Sequence, residues 1–277
     1  MRKLDFGIKI LLLSFFVTVV LGICIVPILK KLKVGQIERE DGPESHLNKQ
    51  GTPTMGGVII AIAIILLILF IFFDYAKDDI ELAKKLIPLA IIAIGFGIIG
   101  FIDDSKKLIF KNTKGLKPAY KMIGLLAIAV TYVIYLLNII NLGTDTYIPI
   151  LKIYINLPIW IYAINLTDGV DGLCPTVSAV IITCLTVIGI IFNVKEVVIF
   201  GTIVIGICLG FLLFNMHPAK VFMGDTGSLL LGGVIVAMAL YLKMPLIIII
   251  IAFIPVLETI SVIMQVIYYK KTGKRIF

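Results

Sequence analysis

Charge is scarce in this chain of 277 residues: Asp, Glu, Lys and Arg make up 15% of it, while apolar residues reach 60%. Soluble domains run at roughly 45–50% apolar, so a water-soluble fold is excluded. Histidine occurs twice, at His46 and His217, and cysteine four times, at Cys24, Cys174, Cys184 and Cys208. The cysteines show no C-x-x-C spacing and read as small packing residues. The G-x-x-x-x-G-K-[ST] pattern is missing, which excludes a P-loop. No internal repeat is visible, which argues against a repeat-built transporter. No charged or low-complexity linker divides the chain, so residues 1–277 read as one membrane domain. The first apolar run lacks a small-residue cleavage site after it and is expected to be retained as a spanning segment.

What the sequence has in abundance is long uncharged runs. Crossing a hydrocarbon core of about 30 Å takes about 20 apolar residues. Such runs lie at Ile10–Leu29, Gly51–Phe73, Leu86–Ile102, Met122–Thr144, Ile153–Thr167, Gly172–Asn193, Val197–Ala219, Thr226–Leu242 and Met244–Tyr269, the last interrupted by Glu258. They predict an all-α polytopic bundle of about nine spanning helices, with Ile153–Thr167 short for a straight span. Lys30, Lys31, Lys33, Arg39, Lys49, Lys106, Lys107, Lys111, Lys114, Lys117, Lys121, Lys220, Lys270, Lys271, Lys274 and Arg275 fall on one side of this arrangement, with Arg2, Lys3 and Lys9 on the other. By the positive-inside rule that side is cytoplasmic and the N-terminus external. The longer cytoplasmic loops are where function is expected.

Five constellations set polar groups hard against apolar helices, where a charge costs roughly 2.5–3.5 kcal/mol at mid-membrane. Gly-Thr-Pro-Thr-Met-Gly-Gly at 51–57 opens the second run; by itself it reads equally well as a turn with close helix packing. Asp103 and Asp104 close the third run, where two carboxylates oppose the helix dipole unless a cation or proton is shared; a metal site or general base is the sharper reading, and a solvated helix end beside Lys106 and Lys107 the bland one. Asn165, Asp168 and Asp171 are spaced by three and flanked by Gly169 and Gly172, an oxygen-donor set suited to magnesium or to hydroxyl groups of a nucleotide sugar. Asn215-Met-His-Pro-Ala-Lys-Val-Phe222-Met-Gly-Asp225-Thr-Gly-Ser precedes the eighth run; Asp225 reads as an N-cap or as a magnesium and phosphate site. Glu258, Ser261 and Gln265 share one helix face, the latter two expected to hydrogen-bond between helices and Glu258 to face a partner in the bundle interior.

Taken together, Asp-Gly-Pro-Glu-Ser-His-Leu at 41–47, Gly-Thr-Pro-Thr-Met-Gly-Gly at 51–57, Gly-Phe-Ile-Asp-Asp at 100–104, Asn-Leu-Thr-Asp-Gly-Val-Asp-Gly-Leu at 165–173 and His-Pro-Ala-Lys-Val-Phe-Met-Gly-Asp-Thr-Gly-Ser at 217–228 resemble one family. It is that of the polyprenyl-phosphate N-acetylhexosamine-1-phosphate transferases, and the resemblance is closest to the bacterial phospho-N-acetylmuramoyl-pentapeptide branch. The resemblance implies transfer of phospho-N-acetylmuramoyl-pentapeptide from UDP-N-acetylmuramoyl-pentapeptide to undecaprenyl phosphate, giving lipid I and UMP. It implies Mg2+ as cofactor, a multi-pass place in the bacterial plasma membrane with the site on the cytoplasmic face, a homodimer as a possible assembly, and no nucleic-acid partner. By the same resemblance Asp103, Asp104 and Asp225 are catalytic, and Asp225 with Asn165 holds the metal. Lys49, Thr54, Lys121, Asn165, Asp168, Gly169, Asp171, Asn215 and Phe222 bind substrate.

The sequence departs from the family pattern at Tyr162, where an asparagine is usual, and at Leu125, where a glutamine is common. It also stops at Phe277, before the family's histidine loop and last helix, so a chain truncated at its C-terminus with slow turnover is expected. Three other readings stay open: an N-acetylglucosamine-1-phosphate transferase for teichoic acid or surface polysaccharide, a membrane transporter, and an inactive truncated paralogue. The enzyme reading predicts that Asp103, Asp104, Asn165, Asp168, Asp171 and Asp225 converge in one cleft.

Overall fold

Long helices account for almost all of the described residues, as the apolar runs require. The computed structural model describes residues 2–32, 52–75, 79–110, 115–138, 145–148, 153–156 and 173–273. Among the described residues seven long helices come first: α1 (Arg2–Lys31), α2 (Gly57–Tyr75), α3 (Ile80–Ile109), α4 (Pro118–Asn138), α5 (Leu173–Ile191), α6 (Lys195–Asn215) and α7 (Gly224–Tyr241). A short helix α8 (Ile248–Ile251) and a long α9 (Phe253–Thr272) follow. Eight of these are long and apolar enough to cross a bilayer, and the chain is a multi-pass membrane protein.

Helix α7 is the centre of the bundle: every residue from Thr226 to Tyr241 is buried. Helix α3 covers it most extensively, α2 and α5 come next, α6 adds a smaller contact, and Tyr132 of α4 donates its hydroxyl to the Ala237 carbonyl at 3.2 Å. Because lipid is as apolar as leucine, helices associate here through close packing at small residues. Gly206 and Gly210 of α6 are such points, lying against Leu11, Ser14, Phe15 and Thr18 of α1, so α1 and α6 run in the same direction. Ser14 and Thr18 turn their buried hydroxyls back onto the carbonyls of Ile10 and Ser14, both at 2.8 Å, which leaves no donor unpaired at the contact.

Two expected spans take a different form. Residues Ile153–Asn156 of the Ile153–Thr167 run form strand β2, paired antiparallel with β1 (Asp145–Ile148) in the register Asp145 to Asn156 and Ile148 to Ile153. A short apolar run does not distinguish strand from helix, and the β-branched and aromatic content at 153–155 favours the strand. The rest of that run lies outside the described residues. The Met244–Tyr269 run is broken at Ala252, whose φ of −104° and ψ of 34° leave the helical region. Pro255 fits the break, because its ring would crowd the Ile251 carbonyl in a continuous helix and is accepted in the first turn of α9, where its N–H is not needed; Pro27 and Pro88 are nevertheless carried inside α1 and α3.

The hairpin and the site lie at opposite ends of the bundle. Tyr147 of β1 donates its N–H to the Lys243 carbonyl at 2.7 Å and packs edge-on against Phe192, with ring centroids 5.9 Å apart. Lys243 follows the end of α7 and Phe192 the end of α5, whereas the start of α7 carries Asp225. On α9, Gln265 donates to Ser261 within the same helix at 3.1 Å, and among the described residues the expected bond between helices is not found. Glu258 buries its Oε2 with no hydrogen-bond partner among the described residues, so the partner expected for it is not found there.

Candidate active site

Helix α3 has 30 residues and so a length of about 45 Å, well beyond a hydrocarbon core of about 30 Å. Its last two turns carry Asp103, Asp104 and Lys107, with Lys107 three and four residues after the aspartates and hence on their face. Both carboxylates are nearly inaccessible, at 3% and 4% exposure. The first turn of α7 brings Asp225 to the same point, and the first turn of α4 brings Lys121.

One oxygen each from Asp103, Asp104 and Asp225 lies within 4.8 Å of the others. Like charges about 4 Å apart repel by about 4 kcal/mol at an effective dielectric of about 20, so such a group needs cations. Lys107 supplies one: its Nζ is 2.6 Å from Asp103 Oδ2, 2.8 Å from Asp225 Oδ2 and 3.9 Å from Asp104 Oδ1. Lys121 supplies another, 2.9 Å from the same Asp225 oxygen. The Leu116 N–H donates to Asp103 Oδ1 at 2.6 Å and ties the segment before α4 to the cluster. Among the described residues, three carboxylates face two ammonium groups, a formal charge of −1 with all five ionised.

Asp104 is held differently from its neighbour. Its Oδ2 accepts from the Thr226 N–H at 2.8 Å and from the Thr226 hydroxyl at 2.7 Å, and its Oδ1 accepts from the Asp225 N–H at 3.1 Å. The carboxylate of one helix therefore satisfies the free donors at the start of another, where the helix dipole also favours negative charge. Glycines make this approach possible. A Cβ on Gly100 would run into the Asp225 backbone, and one on Gly224, whose φ is +70°, would sit 2.7 Å from Asp104 Oδ2.

The segment 53–57 completes this wall. Phe222 N–H donates to the Pro53 carbonyl, Gly56 N–H to Phe222 and Gly57 N–H to Met223, each at 2.8 Å. The side chain of Thr54 is thereby placed against Gly224, its Oγ1 3.0 Å from where a Cβ of that residue would stand. Asn215, only 2% exposed, donates from Nδ2 to the Val221 carbonyl at 3.0 Å and so shapes the loop that presents Phe222.

Of the residues singled out in the sequence, Asp103, Asp104, Asp225, Lys121, Thr54, Asn215 and Phe222 come together at this end of the bundle. Lys49, Asn165, Asp168, Gly169, Asp171 and Tyr162 lie outside the described residues. Leu125 is buried one turn beyond Lys121. Asp225 is not the N-cap of α7, a position taken by Met223; it stands inside the first turn. Asp103 and Asp104 are not a solvated helix end. Sequence reasoning passed over Lys107 and Thr226, although the spacing of Lys107 from the two aspartates was a legible signal.

The oxygen-only donor set suits a hard cation such as magnesium better than zinc, which favours nitrogen and sulfur.

A buried carboxylate and lysine cluster, walled by glycine-rich helix starts at one end of a multi-pass helical bundle, defines a membrane-embedded protein built to hold a charged group. Residues 86–243 match glycosyl transferase family 4, and residues 49–60 match signature 1 of the phospho-N-acetylmuramoyl-pentapeptide-transferases. The chain is 44% identical over 280 residues to the phospho-N-acetylmuramoyl-pentapeptide-transferase of Halalkalibacterium halodurans, covering 96% of this chain and 84% of that one. It is 41% identical over 281 residues to that of Bacillus subtilis, covering 96% and 85%. The chain belongs to glycosyl transferase family 4 and, within it, to the phospho-N-acetylmuramoyl-pentapeptide-transferases.

Proposed function

We propose that this chain transfers phospho-N-acetylmuramoyl-pentapeptide from its UDP carrier to undecaprenyl phosphate, forming lipid I and releasing UMP. The observation that carries the reading is the close grouping of Asp103, Asp225, Lys107 and Lys121, which offers both a cation site and two ammonium groups for a diphosphate. An oxygen of the lipid phosphate attacks the sugar-linked phosphorus. A new phosphorus–oxygen bond forms there as the bond to the bridging oxygen breaks, and that oxygen leaves with UMP.

Phosphoryl transfer asks a protein chiefly for positioning and charge stabilisation. Lys107 and Lys121 stand where they can meet the negative charge of the diphosphate. Asp103 and Asp225 are the residues that would hold Mg2+, with Asn165 as a further expected oxygen donor. When bound, the metal offsets the charge that develops on the leaving diphosphate oxygens. Thr54 and Phe222 line the approach, and Lys49, Asp168, Gly169 and Asp171 belong to the proposed nucleotide-sugar side.

In this reading the site faces the cytoplasm of a bacterial cell. Support comes from Lys30, Lys31, Lys106, Lys107, Lys117, Lys121 and Lys220, which all gather at the site end of the bundle. The deciding assay measures UMP release from UDP-N-acetylmuramoyl-pentapeptide and from UDP-N-acetylglucosamine, with undecaprenyl phosphate, with and without Mg2+. Magnesium-dependent release from the first alone is the expected result. Release from the second alone moves the chain to surface-polysaccharide synthesis, and release from neither removes the transferase reading.

A further inference from the structure

We propose that Asp104 is a positioning residue, whose carboxylate clamps the first turn of α7 and thereby aims Asp225 at the two lysines. This rests on the transferase reading for what the aim accomplishes, but the clamp itself stands on geometry alone. The two adjacent aspartates divide the work. Asp103 meets Lys107 and the Leu116 N–H, and one of its oxygens lies within reach of the Asp225 carboxylate. Asp104 spends both oxygens on three donors of α7, at 2.7, 2.8 and 3.1 Å, and is 4% exposed. Lys107 is 3.9 Å from it, at the limit of an ion pair.

A carboxylate so engaged is poorly placed to react, because turning toward substrate would strip three hydrogen bonds from buried donors. It is well placed to fix a neighbour. Two of its donors are the backbone N–H groups of Asp225 and Thr226, so the clamp sets the position of the Asp225 Cα and the direction of its side chain. Gly100, one turn before Asp104 on α3, removes the Cβ that would push α7 away, and Gly224 removes the one that would meet the clamping oxygen. A displacement of about 1 Å in a group that contacts a reacting diphosphate costs on the order of 10²-fold in rate.

The clamp is tested through Thr226, which lies on the far side of it and offers no charge to substrate or metal. D104N, T226V, T226S and D104N/T226V are made in the full chain. Steady-state UMP release is measured, together with hydrogen exchange of the peptide spanning residues 222–230. T226V is expected to lower kcat by about 10- to 10²-fold with little change in KM for the nucleotide sugar, and to speed exchange in the first turn of α7. D104N lowers kcat at least as far, because its amide group would face donors. The double variant should fall no further than D104N, as two members of one network do. T226S keeps the donor and restores both readouts.

Full activity in T226V, or effects of D104N and T226V that multiply in the double variant, overturns the proposal and returns Asp104 to direct chemistry. A wild-type chain that releases no UMP overturns the functional reading instead. Exchange then still decides the clamp: unchanged first-turn protection in both D104N and T226V overturns it.

Discussion

Lys107 of α3 lies 2.8 Å from the Asp225 carboxylate of α7 while also contacting Asp103 at 2.6 Å, so one ammonium group joins the ends of the two most closely packed helices. The pairing is partly wet, since the Lys107 side chain is 36% exposed, and its contribution is accordingly below that of a fully buried pair. Replacing Lys107 with Met should destabilise the protein by about 1–2 kcal/mol and lower the thermal unfolding midpoint by a few degrees. Added Mg2+ should recover part of that loss, because a cation again faces the unpaired carboxylates. An unfolding midpoint equal to that of the wild type would show that the lysine bridge contributes nothing to the fold.

Asp225 carries the charge that both lysines meet. Asp225→Asn preserves size and place in the first turn of α7, but removes that charge. UMP release should fall by about 10²–10³-fold, with nucleotide affinity largely kept. Isothermal titration with UDP-N-acetylmuramoyl-pentapeptide alongside the turnover assay separates the two effects. Unaltered magnesium-dependent turnover would assign Asp225 a local structural role only.

Gly224 and Gly273 form a matched pair, with φ of +70° and +68°. Alanine at either position strains a left-handed backbone by roughly 1 kcal/mol. At Gly273 nothing lies within 4 Å of a new Cβ, whereas at Gly224 it would crowd Asp104, Thr54 and Met55. Gly224→Ala should therefore lower UMP release by at least tenfold, and Gly273→Ala should leave it within twofold. Equal behaviour of the two variants in the assay would mean that the crowded wall around Gly224 is unimportant.

The far end of the bundle serves as a negative control. Lys85 and Glu196 form an ion pair of 3.5 Å between the starts of α3 and α6. Glu196→Gln should cost under about 1 kcal/mol in thermal unfolding and leave UMP release unchanged. A strong loss of activity would show that the site depends on the opposite end of the bundle.

The class of the protein was legible in the sequence because it depends on quantities that add along the chain. Run length and missing charge alone require spanning helices, since each unpaired backbone group in lipid costs several kcal/mol. The acidic motifs also stood out without coordinates, because a charge beside an apolar helix demands a reason. Hydropathy lost its power in the short Ile153–Thr167 run and near Pro255, although the runs holding Pro27 and Pro88 formed helices as expected. Ile153–Asn156 became a strand and Met244–Tyr269 broke at Ala252, because a partner strand and the ring of Pro255 act through space and local geometry that hydropathy does not encode.

What only the tertiary structure decided is how the polar residues share their work. Asp103 and Asp104 are neighbours of identical chemistry in the sequence, and successive positions on a helix point about 100° apart. That turn sends Asp103 toward Lys107 and the segment before α4, and Asp104 onto the first donors of α7. Residues 121 and 122 positions further along the chain provide two of the hydrogen bonds that separate them. Sequence supplied the carboxylates; the crossing of α3 and α7 at Gly100 and Gly224 assigned each one its partners, because hydrogen bonds reach only about 3 Å and only packed backbones bring such distant residues that close.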